Sequence, residues 1–279
     1  MDTSTATQAA SAPVRLVACD LDGTLIGPDH RFSPRLVRVV SELKDRGVHF
    51  TLATGRMYTS ARKLAEELGL DDVPLITLNG ALVRMSRSGE VLLERNIPED
   101  VARAVVESAK AEGHYIQTYH GDRLVVAELG PEAVAYAERT RVDAHVARTP
   151  AELWQGATKL LVIADPAVVT ELMNRWRPRF GRRLALSRSF PYYLEVMAAG
   201  VSKGQALRHV ASHLGVPLTQ ALAMGDGEND RSMLRSVGVG VAMEGAPPDL
   251  LRVARHVAPP FDKDGAAIAL ERWALGATA

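Results

Sequence analysis

Three apolar runs in this chain break off in the same abrupt way. "LVACDLDGT" begins at Leu16, "FTLATGR" at Phe50 and "ALAMGDGEND" at Ala221. Each is long enough for one buried strand, and each ends in a cluster of polar residues. Between the first two lies an amphipathic stretch. It opens at Ser33-Pro34, a serine cap followed by proline, and stops at Gly47. A second such stretch, Met57–Leu68, closes at Gly69 and leads into an apolar run at Pro74–Leu78. Strand, helix, strand, helix, strand is the pattern of a parallel sheet covered by helices on both faces. It constrains the chain strongly, because parallel strands can be joined only through long crossovers. It also locates the polar strand ends, since open parallel sheets bind ligands at their carboxyl edge.

The pattern lapses after Leu78 and returns at Val201. "GALVRMSRSGEVLLERNI" reads as a hairpin around Ser88-Gly89. Helices follow Pro98, cover Pro131–Thr140 and start at Asp165-Pro166, while strands are expected at Tyr115–Tyr119, Leu124–Ala127, Leu184–Ser187 and Tyr192–Val196. From Ser202 come a helix, strands at Ala221–Met224 and Val237–Ala242, a short strand near His256–Ala258, and a last helix from Lys263. The expectation is an α/β chain: a Rossmann-like parallel sheet core with an inserted α+β cap domain. Residues 1–13 read as a disordered tail, 14–83 and 190–279 as the core, and 84–189 as the cap.

Charge narrows the partners. Lysine plus arginine and aspartate plus glutamate number 33 each. A formal charge of zero gives no general pull toward nucleic acid or an anionic membrane. No apolar run approaches the roughly 18 residues of a membrane span. The amino-terminal residues lack the basic start and apolar stretch of a secretion signal. Cys19 is the single cysteine, so no intrachain disulfide or cysteine-based zinc site can form. It reads as a small buried hydrophobe, and a cytoplasmic location is expected. The oligomeric state has no signature in the sequence.

The polar strand ends supply Asp20, Asp22, Thr54, Arg56, Asp226, Asn229 and Asp230. If extended geometry persists beyond Cys19, Asp20 and Asp22 project from the same side. Four carboxylates on one rim need compensation, and a hard dication with oxygen ligands provides it. Magnesium typically takes one or two carboxylates with waters and phosphate oxygens, and calcium or manganese fits the same atoms. "GVSKGQAL" adds a helix start capped by Ser202, with Gln205 three residues on. Lys203 then lies in the first turn, where the helix dipole favours anions. A common anion such as phosphate, facing both the lysine and the free amides, resolves that conflict. Thr54-Gly55 adds a hydroxyl and unhindered amides. Aspartate is a covalent nucleophile toward phosphoryl groups, and phosphoryl transfer needs mainly positioning and charge neutralisation.

With these residues in order, the chain resembles the haloacid dehalogenase superfamily of phosphohydrolases. The likeness rests on "DLDGT" at Asp20–Thr24, "TGR" at Thr54–Arg56, "SKG" at Ser202–Gly204 and "GDGENDRSML" at Gly225–Leu234. "LNGA" at Leu78–Ala81 and "DGAAIAL" at Asp264–Leu270 resemble the Cof-type branch. The resemblance implies that Asp20 attacks phosphorus and becomes an aspartyl-phosphate. It implies that Asp22 protonates the leaving alcohol and then activates water. Magnesium would be held by Asp20, the Asp22 carbonyl and Asp226, with Asp230 as support or through water. Thr54, Gly55, Lys203, Asn229 and the Leu21 amide would hold phosphate oxygens. The substrate would be a small phosphate ester, with sugar phosphates expected.

The cap should select the leaving group. Glu195 is a candidate to face the cleft and Arg56 to reach substrate, whereas Tyr192 and Tyr193 read as strand packing. His114, His120 and His145 have no ligand-like spacing. Two other functions deserve comparison: a phosphate-accepting signalling module and a silent binding protein on the same fold. The Asp-x-Asp spacing and the cap argue against the first, and the complete catalytic set argues against the second.

Overall fold

The computed structural model describes residues 13–276, so the expected tail lies almost wholly outside the described residues. In chain order the strands are β1 (Leu16–Cys19), β2 (His49–Leu52), β3 (Pro74–Thr77), β4 (Leu82–Met85), β5 (Val91–Glu94), β6 (Tyr115–His120), β7 (Arg123–Val126), β8 (Ala144–Val146), β9 (Lys159–Ile163), β10 (Leu184–Ser187), β11 (Tyr193–Ala198), β12 (Ala221–Gly225), β13 (Val239–Met243) and β14 (His256–Ala258). The helices are α1 (Pro34–Asp45), α2 (Tyr58–Glu67), α3 (Glu99–Ala111), α4 (Pro131–Thr140), α5 (Pro166–Phe180), α6 (Lys203–His213), α7 (Arg231–Ser236), α8 (Pro248–Leu251) and α9 (Gly265–Trp273).

Both ends of the chain build one parallel sheet, ordered β14-β13-β12-β1-β2. Its two faces follow the strand alternation. Leu16 and Ala18 pack with Leu207 and Val210 of α6 and Met233 of α7. Val17 and Cys19 pack with Val40 and Leu43 of α1 and Leu270 of α9. The α1 boundaries follow local chemistry. The Ser33 hydroxyl accepts from the Leu36 N–H at 3.1 Å, Pro34 opens the helix, and Gly47 follows its end with φ of 74°. Its buried residues Leu36, Val39, Val40 and Leu43 recur at helical spacing.

The third expected parallel strand behaves differently. β3 meets β2 through the parallel bridge Ala53–Ile76 just beyond β2 and the hydrogen bond from the Thr51 hydroxyl to the Pro74 carbonyl, and otherwise pairs antiparallel with β4, which pairs with β5. The hairpin turn at Gly89 keeps β4 and β5 in one sheet, and Val83 and Leu93 pack with the α6 side of the core.

The second large sheet runs β10-β11-β9-β6-β7-β8 and is antiparallel except for the β7–β8 pair. Ile116, Leu160, Val162, Leu194 and Val196 point to one face and bury against α3 and α5, where Trp176 is the largest side chain. The alternate residues Lys159, Leu161, Tyr193 and Glu195 therefore point the other way, toward the carboxyl edge of the parallel sheet. The expected limits at 83/84 and 189/190 each fall inside paired strands or their sheet: β4 spans the first, and β11 beyond the second stays paired with β9 and β10. β8 and the short 3-10 turn at Pro150–Leu153 had no clear sequence pattern.

Candidate active site

β1 ends at Cys19, and the backbone then turns. The Asp20 N–H still donates to the Met224 carbonyl at 2.9 Å, but the Leu21 carbonyl already accepts from the N–H groups of Thr24, Leu25 and Ile26. Extended geometry therefore ends at Asp20, yet both aspartates line one pocket, Asp20 against Lys203 and Asp22 against Arg56. Gly23 makes the turn possible: its φ is 86°, and a Cβ there would stand 2.4 Å from Asp226 Oδ2.

Asp20 is buried and accepts from Lys203 Nζ at 2.5 Å. The same ammonium donates to Asp230 Oδ1 at 2.6 Å. Lys203 is fully buried in the first turn of α6, whose cap Ser202 accepts from the Gln205 N–H at 3.2 Å. The cation at a helix start is thus compensated by two carboxylates of the protein, rather than facing an open anion site alone. Burial pushes the Lys203 amine down, yet the charges of Asp20 and Asp230 outweigh it and the amine ends above its ordinary range. Asp230 also organises its loop, because Oδ2 accepts from the Asp226 and Gly227 N–H groups at 3.0 and 2.9 Å. Burial drives the Asp20 carboxyl well above its usual range, partly opposed by Lys203. Burial likewise pushes Asp226 from 3.8 to about 6, with the Asp230 charge adding to it. The Thr24 hydroxyl donates to Asp226 Oδ1 at 3.0 Å.

One oxygen from each of Asp20, Asp226 and Asp230 lies within 4.8 Å of the others. This donor set is all oxygen, and two of its carboxyls resist ionising in the absence of added positive charge. Both properties fit a hard dication such as magnesium.

Asp22 is held differently. Arg56 grips its carboxylate with two bonds, Nε to Oδ2 at 2.7 Å and Nη2 to Oδ1. Arg56 Nη2 also contacts His30 Nδ1 at 2.9 Å. Burial would raise the Asp22 carboxyl, but the Arg56 hydrogen bonds and charge win and hold it below its usual value. Thr54 Oγ1 accepts from the Arg56 N–H at 3.1 Å, so the hydroxyl shapes the loop that presents the guanidinium. Burial also pushes the Cys19 thiol up, as befits an inert core residue.

Glu195 does face the site, but its carboxylate is already engaged. Lys159 Nζ donates to Oε1 at 2.5 Å, and Asn79 Nδ2 donates to Oε2 at 2.5 Å. Lys159 reaches on to the Gly55 carbonyl at 3.0 Å, and Asn229 Nδ2 donates to Asn79 Oδ1 at 3.0 Å. A continuous polar chain thus ties β9 and β11 to the loops after β2, β3 and β12. Tyr193 is buried with its ring in the same wall, while Tyr192 is exposed. Lys159 and Arg139 were not singled out from sequence, and Asn79 entered only as part of the "LNGA" run. The available signal was a lysine opening an apolar strand, "TKLLVI", opposite a glutamate inside another, "YYLEVMA". Asp20, Asp22, Asn229, Arg139, Lys159 and Glu195 line one partly open pocket with a cavity volume of about 40 Å³.

This arrangement of parallel core, acidic rim and capping sheet defines a hydrolase class. The sequence model of the haloacid dehalogenase-like hydrolases matches residues 17–270, and the chain belongs to that family. An HMP-PP phosphatase of Enterobacter sp. (strain 638) is 35% identical over 246 residues, covering 87% of this chain and 89% of the relative. A crystal structure from Thermotoga maritima superposes with a TM-score of 0.79 at 31% identity, covering 93% of this chain and 97% of that one. A haloacid dehalogenase-like hydrolase from Bacteroides thetaiotaomicron does so with a TM-score of 0.79 at 27% identity, covering 93% and 99%.

Two outcomes follow from this geometry. Lys159→Met strands a buried carboxylate and should cost about 3–5 kcal/mol in denaturant unfolding. Adding Glu195→Gln should restore at least half of that loss, whereas additive losses would mean that the pair is not coupled. The second outcome concerns pH. Because Asp226 has a folded value near 6 against an ordinary 3.8, its contribution to stability is complete below pH 4 and is lost as pH rises through about 6. Relative to Asp226→Asn, metal-free protein should therefore lose about 3 kcal/mol between pH 4 and 7. Magnesium should restore the parent at pH 7 but not the variant, and a pH-independent difference would contradict the assignment.

Proposed function

We propose that this chain is a magnesium-dependent phosphatase of small phosphorylated metabolites, working through an aspartyl-phosphate on Asp20. The observation that carries the reading is the buried Asp20–Lys203 contact of 2.5 Å beside Asp226, at the base of a pocket roofed by a second sheet. The HMP-PP phosphatase relative, similar over most of both chains, supports the reaction type. Sugar phosphates belong to the same substrate class and remain within the proposal. In this reading the cap runs from about Pro98 to Ala198, the stretch whose sheet buries one face against α3 and α5 and carries α4 on the other.

Asp20 Oδ2 attacks phosphorus while Lys203 holds Oδ1, and the bond to the leaving oxygen breaks on the opposite side. Asp22 hands a proton to that oxygen. Water then loses a proton to Asp22 and attacks phosphorus, which frees Asp20 and inorganic phosphate. Asp22 as gripped by Arg56 is ionised, a state suited to taking a proton from water. Donating one first requires that Arg56 release it and that the freed carboxylate take a proton from solvent. Thr54, Gly55 and Asn229, which line the pocket, would hold the phosphate oxygens together with Lys203 and the Leu21 amide. Asp20, Asp226 and the Asp22 carbonyl would hold magnesium, supported by Asp230, and the ion supplies charge neutralisation at the phosphoryl group.

Asp20→Asn should reduce hydrolysis of an aryl phosphate to background while the protein keeps its circular dichroism spectrum. Activity retained within tenfold would remove Asp20 as the nucleophile. EDTA should stop turnover and magnesium should restore it, and indifference to the chelator would remove the metal from the scheme.

A further inference from the structure

Three cations line the pocket from its upper side and its rim, and two of them are occupied. Arg56 is paired with Asp22, and Lys159 with Glu195 and the Gly55 carbonyl. Arg139, in the last turn of α4, is the third. Its guanidinium carbon stands 5.4 Å from the Tyr136 ring centroid and 5.5 Å from those of Phe190 and Tyr193. It donates to Tyr193 Oη at 2.8 Å. Among the described residues no carboxylate forms a salt bridge with it, and the Asp22 charge acts on it only from beyond contact distance.

A guanidinium has five N–H donors, and here one of them reaches a protein acceptor. The surrounding rings fix its direction and lower the local dielectric, which strengthens any ion pair made there. Its position identifies the part of the ligand that it meets. Asp20 attacks from the core, so in-line displacement sends the leaving group toward the cap. Arg139 is on the cap side. A planar fork of donors there matches a carboxylate or phosphate better than a hydroxyl.

We propose that Arg139 receives a second anionic group on the substrate, a carboxylate or phosphate carried by the leaving group. The preferred substrates are then phosphate esters with two anionic groups. This inference rests on the phosphatase reading and narrows its substrate class.

The test compares matched pairs: fructose 6-phosphate with fructose 1,6-bisphosphate, and phenyl phosphate with 4-carboxyphenyl phosphate. In each pair the doubly anionic member should have a kcat/KM about 10- to 100-fold higher, mainly through KM, the scale of a charged hydrogen-bonded contact. Arg139→Gln should bring both ratios to within about twofold of one, and Arg139→Lys should retain part of the preference. Ratios near one in the unaltered protein would overturn the proposal. So would an equal loss on both members in Arg139→Gln, which would mean that Arg139 acts on the transferring phosphoryl group or on folding.

Calorimetry with benzylphosphonate and 4-carboxybenzylphosphonate reads the same contact without turnover. The carboxylated ligand should bind at least about tenfold tighter to the parent and not to Arg139→Gln. Discrimination in binding without hydrolysis of any ester would sink the phosphatase reading and leave the Arg139 site standing. Hydrolysis without discrimination in either assay would do the reverse.

Discussion

Everything at the carboxyl edge of the core depends on how one buried ammonium is shared. Lys203 joins Asp20 at the end of β1 to Asp230 after β12, residues separated from it by 183 and 27 positions. Neither carboxylate could be buried beside the other without it. The contact also explains why a cation opens α6 against the helix dipole. Two full negative charges at contact distance outweigh the partial positive charge of the helix end. Asp230 passes the constraint on, because its second oxygen collects the Asp226 and Gly227 amides and so aims Asp226 back at Asp20.

The cap solves a different problem with the same chemistry. α3 and α5 cover one face of its sheet. On the other face Tyr119, Leu124 and Val126 bury with Ala133 and Tyr136 of α4, and the remainder meets the active edge, where Lys159 and Glu195 face the pocket. Lys159 and Glu195 are almost wholly buried, and a buried ion pair is weak evidence for stability when compared with apolar packing. Its value is geometric. The pair, with Asn79, is satisfied only when β9 and β11 sit over the loops carrying Gly55 and Asn229. The contact therefore registers the closed position of the cap over the reacting groups.

Much of this was legible in the sequence, for physical reasons. Strand–helix alternation gave the parallel core, and caps and glycines gave most helix ends, as at Ser33, Gly47 and Ser202. The site residues supplied by strand ends were legible because apolar runs stop where solvent or ligand begins. What failed were inferences that needed tertiary direction. Asp20 and Asp22 meet different partners because the backbone turns at Leu21, which strand periodicity cannot anticipate. Glu195 lies on the expected face, but whether its charge is free depended on Lys159, 36 residues away on a neighbouring strand. Hairpin pairing, which composition does not show, decides which sheet β4, β5 and β11 join. Arg139 carried no local signal at all, since an arginine in a last helical turn is commonplace.

The electrostatics of the first motif divide its two aspartates between two tasks. Burial raises the Asp20 carboxyl, and Arg56 lowers that of Asp22. Environments that push neighbouring carboxyls apart ordinarily mark the raised one as the acid. Here that assignment would be wrong on geometric grounds. Asp20 is tied to Lys203 on the floor of the pocket, beneath any leaving group, whereas Asp22 is partly exposed at its side. Burial raises Asp20 because Lys203, shared with Asp230, does not fully offset it. In the proposed mechanism the nucleophile therefore calls for further positive charge, which a cation beside Asp226 would supply. A hard dication at that point would ionise both Asp20 and Asp226. Metal binding and activation of the nucleophile would then be one event, and the acidic rim would be silent until the ion arrives.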